Sequence, residues 1–185
     1  MRLFVGIPPG EQARAVVADY VELCRRRWPE AKWVPAANLH YTVVFIGEVG
    51  EADLDVLTTA LDNAAAPLAP FVAALGEPGR FPPRGKARVL WVGTSLGAEG
   101  MAAAAAATAQ ATSPWVAPED RPFVAHLTIA RFRVAAAVPE LPPLDGAPEW
   151  TVDGVVLYRS RLARPAPVYE ALHTARFRGA AAAGS

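Results

Sequence analysis

The sequence predicts an α+β fold built as two similar lobes about a shared cleft. Three observations carry this. First, a strand–helix–strand unit occurs twice. Arg2-Leu3-Phe4-Val5-Gly6-Ile7 leads through a helical stretch to Asn38-Leu39-His40-Tyr41-Thr42-Val43-Val44-Phe45-Ile46, and Arg88-Val89-Leu90-Trp91-Val92-Gly93-Thr94 leads through another to His126-Leu127-Thr128-Ile129-Ala130. The separations Gly6–His40 and Gly93–His126 agree to within one residue. A period this long describes lobes, not a solenoid of short units. Second, both copies hold the pattern His-x-Thr, which takes up two of the chain's 3 histidines. Third, the predicted helices are separated by more than one strand, which argues for antiparallel pairing over a doubly wound parallel sheet.

The elements are expected in this order. Residues 2–7 form a strand. From Gly10 to about Trp28 the apolar positions Val16, Val17, Tyr20, Val21 and Cys24 recur with helical spacing, and Pro29 ends the helix. Lys32-Trp33-Val34 is a short strand, and residues 38–46 are the first motif strand, closed by Gly47. A second helix covers Glu51 to about Ala65, with Leu54, Leu57 and Leu61 inward. Phe71–Leu75 is extended, and Gly79–Lys86 is a loop rich in Pro, Gly and Arg. Val89–Val92 is a strand. Ala98–Thr112 is a helix, since alanine is the best helix former. Pro118–Pro122 is a turn before the second motif strand, and Pro139–Pro148 is a surface connection. Trp150–Tyr158 and Pro167–Phe177 are a closing pair of strands, and Gly179–Ser185 is a frayed tail. The organisation is one two-lobed domain over 1–178 with a flexible tail over 179–185.

Composition bounds the function. A chain of 185 residues is long enough for a full core, and its formal net charge is zero. No run approaches a membrane span, and the opening segment is broken too early by Pro8 and Pro9 for a signal peptide. A lone cysteine, Cys24, excludes an intrachain disulfide and falls short of a thiolate metal site. A cytoplasmic location fits these features. All basic residues but Lys32 and Lys86 are arginine, the cation suited to phosphates and to stacking on flat bases. A GC-rich genome would bias the composition the same way.

On a strand, residues two apart share a face. Each His-x-Thr therefore offers an imidazole and a hydroxyl side by side, and two such pairs on one cleft supply a general acid and a general base. The surrounding residues carry a resemblance. The segment Asn38 to Val49, the segment Arg121-Pro122-Phe123-Val124-Ala125-His126-Leu127-Thr128-Ile129-Ala130-Arg131, and the closing Leu157-Tyr158-Arg159-Ser160-Arg161-Leu162 and Pro167-Val168-Tyr169-Glu170-Ala171-Leu172 together resemble the 2H phosphoesterases, specifically the bacterial and archaeal RNA 2′,3′-cyclic phosphodiesterases once called 2′-5′ RNA ligases. The resemblance covers nearly the whole chain. It implies two pseudo-symmetric lobes, each an antiparallel sheet with helices on its outer face, and no metal or organic cofactor. It also implies hydrolysis of a 2′,3′-cyclic phosphodiester to a 2′-phosphate. His40 would then be the proton donor, His126 the proton acceptor, and Thr42 and Thr128 the ligands of the phosphate. The motifs themselves are equivalent and assign neither role. Tyr41 departs from the family's usual aliphatic residue and is expected to point away from the cleft.

Phe45 and Arg131 stand five residues after His40 and His126. A flat ring and a flat guanidinium could stack on a nucleobase, but strict alternation turns an odd offset away from the histidine face, so a bulge is required. Core packing and a solvated charge are the ordinary alternatives. His173 lacks the motif and reads as structural. Arg25–Arg27 reads as a solvated helix end, which suits the helix dipole. Arg80, Arg84, Lys86 and Arg88 are better candidates for an RNA backbone. The expected partner is RNA with a cyclic phosphate end, with no membrane and a monomeric chain. Other functions remain open: 2′-5′ ligation by the same acid–base pair in reverse, action on small cyclic nucleotides, or an RNA-binding protein with incidental turnover.

Overall fold

The computed structural model describes residues 1–117, 122–164 and 166–180. Nine strands and three α-helices are described: β1 (Arg2–Ile7), α1 (Glu11–Arg25), β2 (Lys32–Trp33), β3 (Tyr41–Glu48), α2 (Leu54–Ala65), β4 (Phe71–Phe81), β5 (Ala87–Leu96), α3 (Ala98–Thr112), β6 (Leu127–Ala136), β7 (Glu149–Val152), β8 (Gly154–Arg161) and β9 (Val168–Arg176). The strands join in the order β7-β4-β5-β6-β3-β1-β8-β9, with β2 on β6, and every pairing is antiparallel.

This order has a centre. The two motif strands, β3 and β6, lie side by side and are joined through the pair Tyr41↔Leu127. Outward on one side run β1, β8 and β9, and on the other β5, β4 and β7. The lobes are therefore symmetric about the β3–β6 seam, but the first is not a continuous stretch of sequence. The first lobe combines β1 and β3 with the last two strands. The second combines β5 and β6 with β4 and β7.

The helices are exchanged as well. α1 follows β1, yet its Tyr20 hydroxyl donates to the carbonyl of Pro142 at 2.8 Å, and Gly10 at its start faces the Trp150 ring of β7. α3 follows β5, yet it packs on β3 and on α2, which itself lies against β9. The inward faces obey helical spacing. α1 buries Ala13, Val17, Tyr20, Val21 and Cys24, and α2 buries Leu57, Leu61 and Ala65. The Ala-rich α3 buries Met101, Ala104, Ala105 and Thr108. Its small side chains let the helix approach β3 closely, and Gly100 meets the Phe71 ring where any Cβ would collide with it.

Several boundaries differ from expectation. The Pro- and Gly-rich stretch from Gly79 is not all loop. β4 continues to Phe81, and only residues 82–86 turn. Gly79 stands where a Cβ would lie 2.2 Å from the Trp91 ring, so its role is close approach, not a turn. Trp150–Tyr158 divides at Asp153 into β7 and β8, which serve opposite lobes. Residues 139–148 form an irregular connection, though Pro142 is buried in it. The turn expected at 118–122 falls mostly outside the described residues, as do 181–185. Gly179 is still tied down, its N–H donating to Leu68 at 2.8 Å. No described helix is long and apolar enough to cross a membrane.

Candidate active site

Both histidines sit one residue before their strands, not within them. Tyr41 and Leu127, the bridging pair, are fully buried on the core side. Residues flanking an antiparallel bridge point to the opposite face. His40, Thr42, His126 and Thr128 therefore share the face away from the core. Continuing the register one step sets His40 across from Thr128 and Thr42 across from His126. Opposed side chains on neighbouring strands lie about 5 Å apart at Cβ.

The two imidazoles are anchored alike. His40 Nδ1 lies 2.7 Å from the carbonyl oxygen of Asn38, and His126 Nδ1 lies 2.8 Å from that of Val124. A carbonyl can only accept, so each Nδ1 carries the proton, and in the neutral ring each Nε2 is a free base. His40 Nε2 is 3.0 Å from the Thr42 hydroxyl. Asn38 is itself held by its side-chain amide, which donates to the Pro167 carbonyl at 2.7 Å.

The surroundings break the symmetry. His40 sits over Gly6, where a Cβ would meet its Cδ2 at 3.1 Å. Phe4 (4.7 Å between ring centroids), Tyr169 (5.3 Å) and Tyr158 (6.2 Å) surround it. The structurally equivalent position in the other lobe holds Trp91, since Gly6 pairs with Thr42 and Trp91 with Thr128. Gly93, which sequence spacing matched to Gly6, lies two residues further along. His126 instead meets the edge of Phe81 at 5.2 Å. Burial holds the His40 pKa below its ordinary value, and the nearby charges of Arg131 and His126 push the same way; the Asn38 carbonyl opposes them. Burial likewise raises the phenols of Tyr158 and Tyr169.

Phe45 and Arg131 both reach the cleft face. Val5 pairs with Val44 and Gly6 with Thr42, so Val43 is an extra residue in β3. Leu90 pairs with Ala130 and Trp91 with Thr128, so Ile129 is an extra residue in β6. Each bulge lies three residues after its histidine, and each reverses the alternation. Phe45 then pairs with Phe4 and is exposed, its ring 6.2 Å from the Phe4 ring. Arg131 pairs with Val89 and is exposed, close enough that its charge works with burial to lower the His40 pKa and against the burial that raises that of Tyr169. Sequence spacing passed over the aromatic group Phe4, Tyr158, Tyr169 and Phe81, because cleft-facing and core-facing aromatics read alike in a strand.

Three expected side roles resolve. Tyr41 points into the core, stacked near Trp150, with its hydroxyl 3.4 Å from the Gly93 carbonyl; burial pushes its pKa up to about 12. His173 joins α2 to β9 through Asp62 at 2.7 Å. Arg25 pairs with Glu22 on its own helix at 3.4 Å. Among the described residues no three His, Cys, Asp or Glu side chains cluster to hold a metal.

Two histidines and two hydroxyls share one face of paired strands, an arrangement able to exchange protons with a bound anion and to hydrogen-bond it. The sequence model of the 2′-5′ RNA ligase superfamily matches residues 8–164, and the chain belongs to that family. It is 36% identical to an RNA 2′,3′-cyclic phosphodiesterase of Thermus thermophilus, across 97% of this chain and 91% of that one. It is 26% identical to one of Thermotoga maritima, across 97% of each. Among solved structures, TT0787 of Thermus thermophilus superposes with a TM-score of 0.82 at 33% identity, over 97% of this chain and 99% of that one. LigT of E. coli shares the fold, with a TM-score of 0.77 at 24% identity over 95% and 96%.

Proposed function

We propose that the protein hydrolyses the 2′,3′-cyclic phosphate end of RNA to a 2′-phosphate, with His40 as proton donor and His126 as proton acceptor. The observation that carries this reading is the placement of both His-x-Thr motifs on one face across the Tyr41↔Leu127 bridge. The names of the Thermus and Thermotoga relatives support the same substrate class.

Water attacks phosphorus in line with the departing 3′ oxygen. The new O–P bond forms as the P–O3′ bond breaks. His126 Nε2 takes the proton from water, and His40 Nε2 gives one to O3′. His40 must therefore be charged when the bond breaks, although burial favours its neutral form in the free protein. The bound phosphodiester supplies the missing counter-charge, because an anion beside an imidazole raises its pKa. Protonation also frees a donor. In neutral His40 the Thr42 hydroxyl donates to Nε2; once Nε2 is protonated it becomes a donor itself, and the hydroxyl can turn to a nonbridging phosphate oxygen. Thr128 plays the matching part from the other strand. Donors aimed where charge develops stabilise the transition state. Phe45 and Arg131 hold the terminal base from opposite lobes. No metal is required by this chemistry, and the reading carries with it a cytoplasmic, monomeric enzyme.

The test offers purified protein an RNA with a 2′,3′-cyclic phosphate end, in EDTA. A 2′-phosphate product is expected. A 3′-phosphate would reverse the leaving group and with it the two histidine roles. Joining of ends in preference to hydrolysis would favour the ligase reading, and RNA binding without turnover would favour a binding protein.

A further inference from the structure

The β4–β5 hairpin of the second lobe carries a charge pattern that hydrolysis of a single terminal nucleotide does not use. Arg80, Arg84, Lys86 and Arg88 cluster on it, and no acidic residue occurs between Glu77 and Glu99. Among the described residues none of these four cations takes part in a salt bridge. The chain as a whole is formally neutral, so this is a local concentration of positive charge. The tip, residues 82–86, is exposed throughout, as is Arg88.

The patch is continuous with the cleft. Phe81 at the base of the hairpin meets His126 edge-on at 5.2 Å and lies 5.2 Å from Trp91. β5 pairs with the outer half of β6, as Val89↔Arg131 and Ala87↔Ala136. Arg131 and Arg133 are exposed on that outer half, and Lys32 of β2 pairs with Arg131 on the other side. From Thr128 to Ala136 the strand spans about 26 Å at ~3.3 Å per residue. A strip of this length beside the cleft accommodates several nucleotides of extended chain.

We infer that the β4–β5 hairpin and the outer half of β6 form a track for the single-stranded RNA that precedes the terminal cyclic phosphate. The cations neutralise backbone phosphates, and Phe81 with Trp91 offers a ring surface to the neighbouring base. The inference rests on the hydrolase reading of the site and adds to it a preference for oligonucleotides over mononucleotides. Contacts of this kind are sequence-independent and salt-sensitive, with log K falling by about 0.7 per neutralised phosphate for each unit of log salt on single strands.

The experiment compares kcat/KM for a cyclic mononucleotide and for a six-nucleotide RNA with the same 3′ end, from low to high salt. Wild-type protein is set against an Arg84→Gln/Lys86→Gln/Arg88→Gln variant. In parallel, fluorescence anisotropy follows binding of a labelled single-stranded RNA. We expect wild type to favour the oligonucleotide by at least ~10-fold at low salt. The variant should lose most of that preference, keep its mononucleotide kcat/KM, and show a salt slope shallower by about 2, three cations at ~0.7 each. Equal use of both substrates by wild type, or an unchanged preference in the variant, overturns the track. If neither substrate is turned over, the hydrolase reading fails, and the anisotropy still decides: RNA bound by wild type and released by the variant supports the track, while equal binding overturns it.

Discussion

His40 and His126 have the same motif and the same Nδ1 anchor, so what separates them is what lies beneath. Gly6 lets His40 settle among Phe4, Tyr158 and Tyr169, and the burial holds it neutral. We expect NMR titration of the free protein to place His40 below its ordinary value of 6.5, and to show that value rise when inorganic phosphate is added. A free-protein value at or above the ordinary one would contradict the burial argument. The same shift bears on stability. Because the folded pKa is depressed, the unfolded chain binds more protons just below pH 6.5. The contribution is fully present above that pH and is lost as pH falls toward the folded value. A His40→Gln protein should therefore lose less stability than wild type between neutral and acidic pH, measured by denaturant melts.

Activity should divide by residue type. In the proposed mechanism His40→Ala or His126→Ala removes a proton-transfer partner, worth typically ~10²–10⁴-fold. Thr42→Val and Thr128→Val remove one donor each and should cost about 10-fold less than the histidine changes. Single-turnover kinetics with thermal melts alongside separate chemistry from folding. Near-full turnover in either His→Ala protein would remove that histidine from the mechanism. That these four residues share one face was legible from sequence, because a short motif repeated in the same strand context sets the same alternation twice. The aromatic surroundings of His40 were not, since Phe4 and Tyr158 lie far apart in sequence and meet only through the β1–β8 pairing.

At the level of elements, the two bulges decide what the cleft contains. A single extra residue leaves no mark in composition, so alternation counted from His40 sends Phe45 to the wrong face. Only the pairing partners reveal the shift. Gly6 matters in the same local way. Gly6→Val would press branched methyls into His40 and the Tyr41 carbonyl, both already 3.1 Å from the ideal Cβ. If His40 is the proton donor we propose, a fall in kcat of about 10-fold or more is expected from its displacement, with secondary structure unchanged by circular dichroism. Gly79→Ala should instead act on stability, because the Trp91 ring must move from its seat on β4. Overpacking of this kind costs about 1–3 kcal/mol, readable as a shift in the urea midpoint. Pro78, Gly79, Pro82, Pro83 and Gly85 together imitate a loop, which is why the end of β4 was hidden. A glycine required for ring contact and a glycine required for a turn look the same in sequence.

Across the whole molecule, the repeat was visible but its wiring was not. Similar segments announce similar lobes, whereas the choice of which β-strand completes which lobe is made by pairing, across about 150 residues for β1 with β8 and across a short hairpin for β4 with β5. β8 closes the lobe begun by β1, and β4 closes the lobe begun by β5. With strands and helices both exchanged, neither lobe can unfold while the other stands. A single transition is expected in denaturant, coincident by tryptophan fluorescence and far-UV circular dichroism. Two separated transitions would mean that the lobes are independent.

That exchange also constrains ancestry. A chain holding only the first repeat would carry β4 with no β5 to receive it, and β1 with no β8 beside it. A second copy could satisfy both, each lending the other its last strand and its helix. The two-histidine centre would then have begun on the true twofold axis of a homodimer, one histidine from each copy and both chemically identical. Joining the copies end to end would have released the two positions from that identity. Glycine beneath the His40 imidazole and tryptophan at the matching strand position of the other lobe are the kind of divergence that a fused chain can record. With them, acid and base could become different residues in different surroundings.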